Sequence, residues 1–276
     1  MRALVTGATG FIGQNLMKHL RQQGWELETI GRGDTSVDMD SKMARFNPDV
    51  VFHLATLFIA EHRIENIPDL IQSNITFGTQ VVESMVRHKV SNLVNTGTLW
   101  QYYEGQRDVP SNLYAATKSA FECILKFYCS ANGLRVLNLM LSDSFGPRDS
   151  RPKLLPKLLS IAGTNDKIEL SPGEQIVEWT YVSDIVRAFE VAARRLTEKK
   201  DSAPFVSYTA TSGQAISLKE TVNLCERVLG KKINVDFGAK SYRRREIMTP
   251  AKLDSPLPGW TAKVSFEKGI EACCHG

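Results

Sequence analysis

The sequence predicts an α/β fold in which a doubly wound parallel sheet carries a smaller C-terminal lobe. Three observations predict it. Short β-branched or apolar runs alternate with longer segments of helical period, the first such run ends in a glycine-rich turn, and the texture changes after Gly146-Pro147.

The elements follow in order. Ala3 to Thr6 reads as a strand and Gln14 to Gln23 as a helix closed by Gly24. Leu27 to Ile30 and Leu134 to Leu141 are further strands, and Val50 to Leu54 is a buried strand with almost no polar interruption and Leu93 to Thr96 another, as expected where helices cover both faces. Ile67 to His88 and Leu113 to Asn132 are long and periodic enough for helices. Beyond Gly146-Pro147, Pro152, Pro156, Pro172 and Gly173 break up the pattern, and short helices with loops are expected. Val206 to Thr209 reads as a late strand returning to the sheet, and Leu218 to Leu229 as an amphipathic helix closed by Gly230. The expected division is 1–147, completed by about 176–210, with 148–175 and 211–276 forming the second lobe. There is no internal repeat and no low-complexity tract.

A length of 276 residues allows one large or two modest domains, and a net charge of +4 is small for that length. Basic residues are scattered apart from Arg243-Arg244-Arg245, which argues against nucleic acid as a partner and leaves room for an anionic small ligand. Cys123, Cys129, Cys225, Cys273 and Cys274 show no metal-ligand spacing and no disulfide framework, so no metal is expected and the thiols read as free and buried. The opening run is too short for a signal segment and no run is long enough to span a bilayer, so a cytoplasmic protein with no membrane partner is expected.

Gly7-Ala8-Thr9-Gly10-Phe11-Ile12-Gly13 lies between the first strand and the first helix. A turn there brings backbone close to a ligand phosphate, with helix N–H groups and the positive dipole end facing it. Gly7, Thr9, Gly10, Phe11, Ile12 and Gly13 are therefore candidate contacts of a dinucleotide, which makes the sheet Rossmann-type. Leu54, Ala55 and Thr56, at the end of a neighbouring strand, are candidates for the same ligand. At the end of the second strand an acidic residue would bind the ribose hydroxyls and repel a 2′-phosphate, but the chain has Gly31-Arg32 there. The fork-shaped guanidinium of Arg32 favours NADP(H) over NAD(H), although Asp34 is close enough to serve the hydroxyls.

Tyr114 and Lys118 are four residues apart on one expected helix, so the phenol and the ammonium share a face. A cation beside a tyrosine lowers its pKa from about 10 and makes it a usable acid-base group. Lys118 would also reach the cofactor ribose. The strand before this helix ends in Thr96-Gly97-Thr98, at the sheet edge where α/β proteins bind ligands, and Thr98 is placed to hold a carbonyl oxygen that gains charge. Thr98, Tyr114 and Lys118 are thus the candidate catalytic residues.

At these residues the chain resembles the extended short-chain dehydrogenases/reductases, the nucleotide-sugar epimerase, dehydratase and reductase family. The resemblance extends through Asp49 to Ala55, Asn74 with Gly78-Thr79, Phe145-Gly146-Pro147, Tyr181 to Asp184 and Leu257 to Trp260. It implies a substrate-binding C-terminal lobe for a nucleotide-diphosphate sugar, an adenine contact at Asp38 and Met39, a diphosphate-binding Arg243 with Glu246, and a homodimer formed through the two long helices. Trp100 and Asp143 are implied substrate contacts; Asp143 and Met140 replace residues many members carry there.

Within the family the chain looks most like the 4-ketoreductases of deoxysugar nucleotides, the CDP-paratose/CDP-abequose synthase group, given Thr96 to Gln101 and Asp143 to Pro147. The dehydratases carry an Asp-Glu pair after the active-site threonine, where this chain has Leu99-Trp100. The resemblance implies NADPH-dependent reduction of the 4-keto group of an NDP-4-keto-6-deoxy or 3,6-dideoxy hexose. An NAD-dependent 4-epimerase is the alternative within enzymology. A non-catalytic dinucleotide sensor is the alternative of another class, and it has no need for the Tyr, Lys and Thr together.

Overall fold

The computed structural model describes residues 1–275. Strands β1 (Arg2–Thr6), β2 (Glu26–Ile30), β3 (Val50–His53), β4 (Asn92–Thr98) and β5 (Arg135–Leu141) alternate with helices α1 (Phe11–Gln22), α2 (Ser36–Phe46), α3 (Ile67–Ile71), α4 (Phe77–Arg87) and α5 (Leu113–Asn132). Then follow β6 (Asp143–Phe145), α6 (Leu154–Ile161), β7 (Lys167–Leu170), β8 (Ile176–Tyr181), α7 (Val182–Thr197), β9 (Phe205–Ala210), β10 (Ala215–Ser217), α8 (Leu218–Leu229), β11 (Asn234–Phe237) and α9 (Phe266–His275).

The main sheet has six strands in the order β2-β1-β3-β4-β5-β9, and all its pairings are parallel. Side chains alternate between its faces with the period of two that a strand imposes. Ala3, Val5, Val50, Phe52 and Val94 join one cluster under α1 and α7, with Leu16, Leu20, Ile185 and Phe189. Leu4, Val51 and Leu93 join the opposite cluster under α2, α4 and α5, with Met39, Met43, Met85 and Phe121. Both faces are covered, which is why these strands read as unbroken apolar runs. Strand order reverses between β1 and β3, so a crevice opens beyond their carboxyl ends, the usual ligand position in such sheets.

A third apolar cluster, with Phe145, Leu155, Leu158, Trp179, Cys225 and Phe266, lies under two smaller sheets, β10-β8-β6 and β11-β7. The segment after Gly146-Pro147 thus holds short strands as well as helices. Runs of three to six residues carry too little periodicity to separate them from loops. β8 pairs with β6 and β10, and β9, over the expected Val206 to Thr209, returns to the main sheet beside β5. Leu257 and Trp260 also fold back into the α1/α7 cluster. Asp184, buried at the start of α7, holds that return by accepting from the N–H groups of Lys263 and Val264, both at 2.9 Å.

Two further differences concern helices and thiols. Ser36–Phe46 forms α2, where no helix is expected from the sequence, and Thr35 starts it with a capping box to Asp38. Among the cysteines only Cys129 and Cys225 are buried; Cys123 and Cys274 are exposed because they sit on helix faces turned from the apolar clusters. No helix among the described residues is long and apolar enough to cross a membrane.

Candidate functional site

The three glycines after β1 do three different things. Gly7 has φ +70°, and a Cβ there would stand 2.6 Å from the Ala55 nitrogen, so it permits a left-handed turn against the end of β3. Gly13 must be bare because its Cβ would meet the Gly7 carbonyl oxygen at 2.1 Å. Gly10 differs: a Cβ there would touch only that same oxygen at 3.3 Å and otherwise point into open space. It is also the N-cap of α1, with no side chain to satisfy the first N–H groups, and the first turn holds no acid. A bare helix N-terminus therefore faces a cavity with its approach kept clear, which fits a ligand phosphate.

That cavity measures about 500 Å³ and is lined by Gly7, Gly10, Phe11, Ile12, Gly13, Arg32, Leu54, Thr56, Thr98, Trp100, Tyr114 and Asp143. Most of the expected residues are thereby brought together at the switch point. Thr9 is exposed on the outside of the turn, where its carbonyl accepts from Gln14. Ala55 serves the wall by packing against Gly7 and donating its N–H to Thr6 Oγ1.

Asp38 and Met39 do not line this cavity. Asp38 accepts from the Thr35 backbone and hydroxyl as the cap of α2, and Met39 is 2% exposed within the sheet–helix cluster. Because α2 occupies this stretch, neither side chain reaches the cavity as an adenine contact. Asp34 is also committed: it takes the Gly31 N–H at 2.8 Å and both contacts from Lys42 at 2.8 and 2.9 Å. Burial pushes its carboxyl up, but Lys42 and the Gly31 N–H prevail and hold it below the usual range. Arg32, exposed and on the cavity wall, is left to meet whatever lies beyond β2.

Tyr114 and Lys118 sit in the first turns of α5, started by Asn112, whose side chain accepts from the Ala115 N–H at 2.9 Å. Tyr114 reaches the cavity with its ring edge-on to Phe58, centroids 5.0 Å apart. Lys118 is 3% exposed and donates to the Thr96 carbonyl at 3.1 Å. Burial pushes the Tyr114 phenol well above its ordinary value; the Thr56 hydroxyl lowers it, Asp143 raises it and Arg151 lowers it, and the first effect wins. Lys118 is itself brought down to about 8 by burial.

Asn74 occupies a π-helical turn, Gln72–Thr76, that interrupts the helix expected over Ile67 to His88. The extra residue turns its side chain inward, where it accepts from Thr56 Oγ1 and the Leu57 N–H and donates to the Leu57 carbonyl and Thr117 Oγ1. Asn74 thus ties the loop after β3 to α5. Thr98 caps the turn behind it by accepting from the Trp100 N–H at 3.3 Å.

A second cavity, of about 200 Å³, shares Phe58, Trp100, Asp143 and Lys153 with the first and adds Arg243 and Glu246. Trp100 packs edge-on to Phe58 at 5.5 Å and carries the Arg243 guanidinium 6.0 Å from its ring centre. Asp143 is paired with Lys153 at 3.3 Å. Phe58, Lys153 and Arg151 were not signalled by sequence, since each stands alone in a loop with no spacing to mark it.

Comparison with known proteins agrees with this geometry. CDP-abequose synthase of Yersinia pseudotuberculosis is 26% identical over 268 residues, 91% of this chain and 92% of that protein. UDP-glucose 4-epimerase of Halalkalibacterium halodurans is 22% identical over 98% of this chain and 94% of that protein. The solved UDP-glucose 4-epimerase from Brucella ovis, in complex with NAD, has the same fold, with a TM-score of 0.86 at 21% identity over 99% of this chain and 98% of that one. The NAD dependent epimerase/dehydratase family matches residues 3–206, and the chain belongs to that family, the extended short-chain dehydrogenases/reductases.

Proposed function

We propose that the protein is an NADPH-dependent oxidoreductase that reduces the 4-keto group of an NDP-4-keto-6-deoxy or 3,6-dideoxy hexose. The observation that carries this reading is that Tyr114 and Thr98 share the glycine-lined cavity while no acid–base pair follows the threonine. Tyr114 keeps its proton in the buried cavity, and the two residues after Thr98 are Leu99, 4% exposed, and Trp100. A dehydratase needs an acid and a base at that point, and an epimerase must first remove a proton; a ketone reductase needs only a proton donor. The kinship with CDP-abequose synthase supports the same substrate class.

Gly7, Gly10 and Gly13 would hold a nicotinamide dinucleotide in the cleft, and the hydride would come from that cofactor when bound. Tyr114 donates its proton to the C4 oxygen as charge develops there, and Thr98 donates a hydrogen bond to the same oxygen. Lys118 anchors the cleft wall through Thr96 and lies one helical turn behind the phenol, where it is placed to return a proton. Arg32 binds the 2′-phosphate, a role that Asp34, locked to Lys42, does not contest. Arg243 holds the sugar-nucleotide diphosphate, with Trp100 and Asp143 beside the hexose. Homodimers pair through α4 and α5, and the protein works in the cytoplasm.

The test is stoichiometric. With a 4-keto-6-deoxy sugar nucleotide, NADPH absorbance falls by one equivalent per product formed. Turnover of a 4-hydroxy sugar nucleotide with no net loss of reduced cofactor would replace this reading with the epimerase.

A further inference from the structure

Arg151 belongs to none of the motifs above, yet it lines the same cavity as Gly7, Gly10 and Tyr114. Its guanidinium lies over the Phe11 ring, 4.3 Å from the centroid. Nε and Nη2 fork onto the Asp149 carboxylate at 2.7 and 2.6 Å. Nη2 also donates to the Ser144 carbonyl at 2.8 Å, and Nη1 to Ser144 Oγ at 3.0 Å. Four of the five N–H donors are thus used, and the fifth, on Nη1, has no acceptor among the described residues. The Asp149 side chain is 3% exposed, so this is a built pair and not a mobile surface contact.

We infer that Arg151 is a fixed countercharge for the diphosphate of the bound dinucleotide. Phe11 is the first residue of α1, so a guanidinium over its ring stands beside the helix N–H groups that face the cleft. The two sets of donors line one cavity, and a diphosphate has oxygens for both. Asp149 offsets part of the charge but holds the fork still, so binding orders no long side chain. The cofactor diphosphate is favoured over that of the sugar nucleotide because Arg151 does not line the second cavity, where Arg243 lies beyond Trp100. The inference rests on the reading that the glycine-lined cleft takes a nicotinamide dinucleotide.

Calorimetric titration of NADPH, NADH and ADP-ribose into wild type, Asp149→Asn/Arg151→Gln and Arg151→Lys tests it, with near-UV circular dichroism as the check of packing. The double variant leaves no unpaired acid in the wall. It is expected to bind all three ligands about 10- to 100-fold more weakly, by a common factor, as for loss of one charged hydrogen bond. Arg151→Lys keeps a cation opposite Asp149, so it still decides the matter should the double variant not fold; about a three- to tenfold loss is expected. Unchanged affinities overturn the inference, as does a loss confined to NADPH. If wild type itself binds no dinucleotide, the functional reading fails and takes the inference with it; if wild type binds and the variants bind equally well, only the inference fails.

Discussion

Lys118 donates to the Thr96 carbonyl at 3.1 Å, and among the described residues no carboxylate pairs with it. An ammonium buried to this degree against a single carbonyl is destabilised, which is why its pKa falls to about 8. The folded value lies below the unfolded one, 10.5. Below pH 8 both states hold the proton and the full penalty is present; between pH 8 and 10.5 the unfolded chain binds more protons, so stability rises with pH. Urea unfolding of wild type and Lys118→Met across that window should show wild type gaining on the variant by up to about 3 kcal/mol. A pH-independent difference would show that Lys118 stays charged by some other means.

Tyr114 shifts the other way, and its consequence is catalytic. A phenol held above its ordinary range keeps its proton throughout the neutral region, so it donates without first being recharged. Tyr114→Phe should lower the single-turnover reduction rate by about 10²- to 10⁴-fold, the usual worth of a positioned acid. Dinucleotide affinity should stay within about threefold, since the ring and its contact with Phe58 persist. Near-normal reduction would remove the phenol from the chemistry.

Arg32 makes a separable prediction. If it reads the 2′-phosphate, Arg32→Gln weakens NADPH by about 10- to 100-fold and leaves NADH within about threefold. Equal losses for both dinucleotides would move Arg32 to a shared part of the ligand, and no loss would leave the 2′-phosphate without a partner from this loop.

The contrast between what was legible and what was not has a physical basis. The Tyr114–Lys118 helix is written in a long run: α5 has the expected bounds, Leu113–Asn132, because twenty residues of helical period lie between an Asn cap and Gly133. The helix that holds Asp38 and Met39 was not legible, because eleven residues with only two buried positions carry a weak apolar period, although the Thr35–Asp38 capping box starts it. The burial of Tyr114 was not legible for another reason. Spacing along a helix tells that a phenol and an ammonium share a face, but not how dry that face is, and burial outweighs the pair here. Arg151 was invisible because its meaning lies in Phe11, 140 positions away in the chain and 4.3 Å away in space.

The glycine turn permits a last prediction, in which stability and binding come apart. Gly13→Ala forces a methyl to within 2.1 Å of the Gly7 carbonyl oxygen and 2.9 Å of the Ala8 Cα, both backbone atoms that have nowhere to go. Gly7→Ala combines a 2.6 Å clash at the Ala55 nitrogen with a left-handed φ of +70°. Each should cost about 2–4 kcal/mol, as overpacking against rigid neighbours plus strain does. Gly10→Ala is different in kind, because φ −74° and ψ 166° suit alanine and the only neighbour stands at 3.3 Å. Its stability should lie within about 1 kcal/mol of wild type, on the stabilising side if loss of unfolded-state freedom prevails. The methyl nevertheless enters the space in front of the first turn of α1, so the rise in melting temperature that NADPH gives wild type should disappear. Thermal melts of the three variants with and without NADPH separate the roles: a Gly10→Ala protein that still responds fully to the dinucleotide would mean that the phosphates do not approach the helix over that residue.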